Sequence, residues 1–157
     1  MKKVFISVVI LLGLSVVLSA QPKAIGGRFG YGMEASYEHY FGKPHFLEVN
    51  AGIFDPNDVG FRLTGIYNYV FAQPDWTTNG QWSWYAGPGV SLGSAYYNDN
   101  NNFFFGVVGQ IGLEYQFWFP LQLSADFRPV FGVCDGEFYR DGFLDGFFPT
   151  ISVRYLF

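Results

Sequence analysis

Few residues in this chain are equipped for covalent chemistry. His39 and His45 are the only histidines, and a base–nucleophile pair needs one of them within reach of a hydroxyl such as Ser91 or Ser94. Both histidines flank the turn at Lys43-Pro44, which the strand layout below puts at the opposite end of the molecule from those serines. No such pair is expected, and the chain is read as no enzyme. Gly87-Pro-Gly-Val-Ser-Leu-Gly93 has the glycine density of a phosphate-binding loop but lacks the following lysine and the strand-to-helix context. Glycines that leave space inside an enclosed interior fit the segment better. Asp135, Glu137, Asp141 and Asp145 offer carboxylates to a divalent cation, yet their spacing misses the calcium-loop pattern, and a solvated acidic loop is expected. The single cysteine, Cys134, provides neither a metal site nor an internal disulfide. No cofactor and no metal follow from these residues.

The charged residues have an order of their own. Arg28, Glu34, Glu38, Glu48, Arg62, Glu114, Asp126, Arg128 and Arg154 all fall on one parity of an alternating chain. The opposite parity is a continuous apolar and aromatic stripe. Alternation with period two is the signature of β-strands. It is clearest from Phe103 to Phe119, where Phe103, Phe105, Val107, Ile111, Leu113, Tyr115, Phe117 and Phe119 share one face. Phe104, Gly106, Val108, Gln110, Gly112, Glu114, Gln116 and Trp118 share the other, a mixed face with small and polar residues. The end of the chain repeats the pattern, with Ile151, Val153, Tyr155 and Phe157 opposed to Ser152 and Arg154.

Turn residues divide the chain into segments. Phe147–Phe157 is read as the last strand, after an acidic loop over Cys134–Gly146. Before it come Leu121–Val133, Phe103–Phe119, a polar turn at Asn98–Asn102, and Trp82–Tyr97. The connection Ala72–Gly80 leads back to Val59–Phe71 and, across Asp55-Pro56-Asn57-Asp58, to Phe46–Phe54. These are six strands. Ala24–Phe41 is one long strand or two hinged near Gly30-Tyr31-Gly32, and membrane barrels of single bacterial chains use an even number. The hinged reading gives eight. Pro88 and Pro129 fall inside expected strands, where each removes a ladder hydrogen bond, so a bulge is expected at both.

Composition says what such strands should enclose. Half of the residues are hydrophobic, 22% are aromatic and only 14% are charged, against about 25% charged in an ordinary soluble domain. The net charge of −4 gives no footprint for nucleic acid. Lys2 and Lys3, the apolar run Val4–Leu18 and the small residues before Gln21 read as a secretory signal peptide over residues 1–20. Residues 21–157 then form one all-β domain, an up-and-down antiparallel β-barrel. Because the bulky face is the uncharged one, it is expected to meet lipid, where a midplane Arg or Lys would cost about 2–4 kcal/mol. Four arginines and five carboxylates are left to pair inside.

The aromatic residues add a second regularity. Tyr67, Tyr69 and Phe71 close one strand, Trp82 and Trp84 open the next, Phe117, Trp118 and Phe119 close another, and Tyr155 and Phe157 end the chain. All belong to the end that carries both termini, the expected periplasmic side, and amphipathic rings at headgroup depth form such a girdle. The closing Ile151-Ser-Val-Arg-Tyr-Leu-Phe157 resembles the terminal signal of outer-membrane barrels. Together with Gly26-Gly-Arg-Phe-Gly30, Trp84-Tyr-Ala-Gly-Pro-Gly89 and Gly112-Leu-Glu-Tyr115, it makes the chain similar to small barrels of the OmpA/OmpX type. The resemblance implies a monomer in the bacterial outer membrane, bathed in outer-membrane lipid. It also implies that Tyr155 and Phe157 are read by the barrel-assembly machinery. The expected role is non-enzymatic, structural or surface-interacting through the loops. A narrow channel or solute-binding barrel is the alternative, if inward Gly87, Gly89, Gly106 and Gly112 leave a water path. A lipid-modifying enzyme is the third, disfavoured by where the histidines lie.

Overall fold

A computed structural model describes residues 22–30, 32–42, 44–54, 60–97, 100–134, 137–141 and 149–157; residues 1–20, read above as a signal peptide, lie outside the described residues. Ten β-segments follow one another: β1 Lys23–Phe29, β2 Gly32–Tyr40, β3 His45–Phe54, β4 Gly60–Ala72, β5 Gln81–Tyr97, β6 Asn100–Gln116, β7 Leu121–Phe127, β8 Val130–Cys134, β9 Glu137–Asp141 and β10 Thr150–Leu156. Neighbours pair antiparallel, and β1 pairs with β10 to close the sheet. β7 and β8 lie end to end along β6, while β9 and β10 lie against β8 and β7. The ten segments therefore build an eight-stranded closed barrel in which two strands are interrupted.

Closure pairs the long strands on both sides, which is how an antiparallel sheet satisfies its backbone without a covering layer; β9 pairs with β8 alone among the described residues. The hinge in the first long segment is real: Gly30 separates β1 from β2, and Arg28 comes to face Glu34 across the hairpin. The start of β1 and the end of the chain meet at one end, called the terminal end below, where Lys23 and Phe157 exchange backbone hydrogen bonds of 3.0 and 2.8 Å. This terminal end also carries the turns after β2, β4 and β6; the opposite, far end carries the remaining hairpins.

Several expected boundaries need correction. Glu137–Asp141, placed in an acidic loop, is strand β9, and it extends the β8 ladder from Cys134↔Glu137 to Val130↔Asp141. Charge at both of its ends hid a five-residue strand containing Phe138 and Tyr139. The expected strand Leu121–Val133 is broken at Arg128-Pro129, because proline has no N–H to give the ladder. Register nevertheless survives the break: the Pro129 carbonyl accepts the Gly109 N–H at 3.2 Å. At Pro88 no bulge forms. β5 runs straight through it opposite Gly109, and only its pairing to β4 lapses there. The irregularity lies instead between Val70 and Ala72. β6 begins at Asn100, inside the expected polar turn, and ends at Gln116, so Phe117, Trp118 and Phe119 belong to the turn that follows. The last strand begins at Thr150, and Phe147 and Phe148 of its expected range lie outside the described residues.

Candidate functional site

Alternate residues of each strand face opposite sides, and the two sides differ sharply. Phe103 is 67% exposed while Phe104 beside it is fully buried, and Ile151, Val153 and Tyr155 are exposed while Ser152 and Arg154 are buried. The outer surface is thus a field of Phe, Ile, Val and Tyr. The interior holds Arg28, Glu34, Glu38, Glu48, Arg62, Glu114, Asp126 and Arg154, all buried, together with the Arg128 side chain. Among the described residues this inversion, charge within and bulky hydrocarbon without, is the main chemical feature of the molecule.

The buried charges interlock. Glu48 on β3 is the hub: it accepts from Arg154 Nη2 at 3.0 Å, Arg28 Nη1 at 3.3 Å, Asn50 at 2.9 Å and Gln110 at 2.8 Å. Arg154, on β10, also reaches Glu38 at 2.9 Å and donates to Ser36 and Ser124, each at 2.8 Å. Its guanidinium fork therefore ties β10 to β2, β3 and β7. Arg28 on β1 pairs two-pronged with Asp126 on β7, and lies 3.3 Å from Glu34. Glu34 in turn accepts from Arg128, in the gap between β7 and β8. A planar five-donor group suits this bridging role better than an ammonium would. Charges this far from water are tolerated only when paired and hydrogen-bonded.

Toward the terminal end the chemistry changes. Glu38 and Glu114 share two neutral donors. Gln122 Nε2 lies 2.6 Å from the first carboxylate and 2.8 Å from the second, and the Tyr40 hydroxyl lies 2.8 and 3.3 Å from them. Gln116 also donates to Glu114, at 2.8 Å. Beyond this layer the barrel opens into a cavity of about 150 Å³ at its terminal mouth.

Toward the far end the interior carries an apolar cluster of Ile66, Phe104, Val108, Val130 and Cys134, beside the buried Arg62, Thr64 and Ser91. Two inward glycines stand against rings, Gly106 toward the far end and Gly112 beside Asp126 nearer the terminal end. A Cβ on Gly106 would stand 2.9 Å from the Phe104 ring, and one on Gly112 would stand 2.4 Å from the Tyr85 ring. At these two positions the room goes to rings inside the barrel, while a Cβ on Gly87 or Gly89 would meet the β4 backbone first. Phe46, Tyr85 and Phe104 are fully buried inside. Their parity, opposite to that of the outer stripe, was the available signal for this, but an aromatic-rich outer face drew attention away from it.

The outward rings at the terminal end touch in two arcs. One runs through Tyr37, His39, Phe41, Tyr67, His45 and Tyr69, with centroids 4.9–6.5 Å apart. The other joins Trp76, Trp82, Tyr115, Phe117 and Phe119, with Trp84 and Trp118 packed alongside. Phe71, Tyr155 and Phe157 are exposed at the same end. Both histidines sit in the first arc. Ser91 is buried inside and bonded to Thr64 at 2.9 Å; Ser94 lies at the far end, within 3.4 Å of the Phe61 N–H. The structure therefore brings neither histidine to either serine. Among the described residues no group of three His, Cys, Asp or Glu side chains is arranged to hold a metal. Asp135 and Asp145 lie outside the described residues, as do the side chains of Glu137 and Asp141.

Compared with family models, with characterised proteins and with solved structures, the chain matches none.

Proposed function

We propose that this chain is a non-enzymatic barrel of a bacterial outer membrane, with a structural or surface-interaction role exercised through its far end. The observation that carries the reading is the inversion of its two faces. A soluble barrel of this size would expose its charges and bury its hydrocarbon. Here Phe29, Phe61, Phe103, Phe105, Ile111 and Val153 are exposed, while Arg28, Glu48 and Arg154 are sealed within. A contiguous apolar surface on that scale calls for a hydrophobic partner, and lipid around the whole girth is the partner a closed barrel fits. The N-terminal export pattern supports the location. The terminal Tyr155 and Phe157 support delivery by barrel-assembly machinery, and the closed sheet supports a monomer.

A transport role is less well supported, because interlocked charges and the Phe104 and Tyr85 rings stand in the interior of the barrel. The test has two arms. Expressed at native level, the protein should fractionate with the outer membrane; recovery in the soluble periplasm would remove the membrane reading. Refolded into a planar bilayer, it should give no stepwise ohmic conductance. Regular conductance steps would make it a channel instead.

A further inference from the structure

We infer that the terminal mouth of the barrel is a binding site for a small organic cation, a protonated amine on a compact apolar body. The inference rests on the barrel alone and stands whether or not the barrel lies in a membrane. Its first support is a built cavity of about 150 Å³. Tyr40, Glu114 and Gln116 supply its polar lining, and Val70, Leu156 and Pro44 supply hydrocarbon. A cavity of roughly this volume takes up a benzene-sized molecule.

The second support is an imbalance of charge at this layer. Glu34, Glu48 and Asp126 each face Arg28, and Glu38 faces Arg154. Glu114 is equally buried but is held by Gln116, Gln122 and Tyr40, all neutral donors, and makes no ion pair with Arg28, Arg128 or Arg154. Arg154 is already committed to Glu38 and Glu48. The two carboxylates Glu38 and Glu114 draw on the same amide and the same hydroxyl, whose single proton serves one acceptor at a time. A buried carboxyl beside a second one, with no arginine paired to it, is the group at the cavity that favours a positively charged guest.

The same lining sets the sign of the guest. An ammonium has three donors, and Glu114 and the Tyr40 oxygen are acceptors of the kind it takes. An anion would meet the Glu114 carboxylate.

The experiment uses the full mature chain refolded in detergent micelles, titrated by calorimetry with benzylammonium. Benzyl alcohol and benzoate serve as the neutral and anionic counterparts of the same size. Benzylammonium should bind saturably, with at least tenfold preference over either counterpart. Glu114→Gln should lower its affinity at least tenfold and leave benzyl alcohol unchanged. Val70→Trp, which fills the mouth without removing the carboxylate, should abolish binding while the barrel still migrates as a folded species on an unheated gel. Equal affinity for the alcohol and the ammonium, full affinity in Glu114→Gln, or no saturable benzylammonium binding would each overturn the inference. The membrane reading would survive all three results.

Discussion

The two halves of the barrel interior solve the same packing problem by different means. In the half nearer the termini, Arg28 and Arg154 reach across the lumen to carboxylates on several strands, so distant walls are tied by directional charge pairs. Toward the far end, Phe104, Val108 and Val130 pack by apolar contact, with the buried Arg62 and the Thr64–Ser91 hydrogen bond among them. Ion pairs fix which residue meets which, because each guanidinium accepts only a narrow set of partner geometries. Apolar contact tolerates adjustment. The half with charge pairs should therefore fail abruptly when one member is removed, and the far half should degrade in small steps.

The largest effect that would break this comparison belongs to Arg154. Arg154→Met leaves Glu38 and Glu48 short of a cation in the interior and should cost about 3–5 kcal/mol. Urea titration of the folded fraction in vesicles measures it; a loss below 1 kcal/mol would show that water already relieves these charges. Next comes the contrast between the inner and outer faces. Ile111 is exposed on the middle of β6, and Ile111→Arg should cost about 2–4 kcal/mol in a bilayer. The same change in detergent-free aqueous buffer should be harmless if the outer face meets water instead.

A smaller effect tests the glycines. Gly112→Ala pushes a methyl to within 2.4 Å of the Tyr85 ring and should cost about 1–3 kcal/mol through overpacking. A neutral or stabilising result there would mean that Tyr85 moves freely and that the lumen holds spare volume. The smallest belongs to the apolar cluster, where Ile66→Val removes one buried methylene and should cost about 0.5–1.5 kcal/mol. If it rivals Arg154→Met, the charge pairs and the apolar cluster do not differ in kind.

Much of this architecture is legible in the sequence. Period-two alternation from Phe103 to Phe119 separates the faces of β6 because a strand offers only two sides, so a residue's parity decides its environment. The hinge at Gly30 followed from counting, since an odd strand cannot close an up-and-down barrel of this kind. What parity cannot supply is height. Which carboxylate each arginine meets depends on the tilt and stagger of eight strands, a property of the closed sheet and not of any one segment. The sharing of Gln122 and Tyr40 between Glu38 and Glu114 was hidden for this reason. β9 was hidden for another: its charged ends resemble a solvated loop, and only pairing with β8 makes it a strand.

The central claim, that hydrocarbon outside means lipid outside, can be read from the tryptophans. Trp76, Trp82, Trp84 and Trp118 are the only four in the chain, and all lie at the terminal end in one arc of rings. The measurement is fluorescence quenching of the refolded protein in vesicles whose phospholipids carry bromine either near the headgroup or near the end of the acyl chain. Interfacial rings predict strong quenching by the shallow bromine and weak quenching by the deep one. Quenching by neither lipid, or stronger quenching by the deep bromine, would contradict the account.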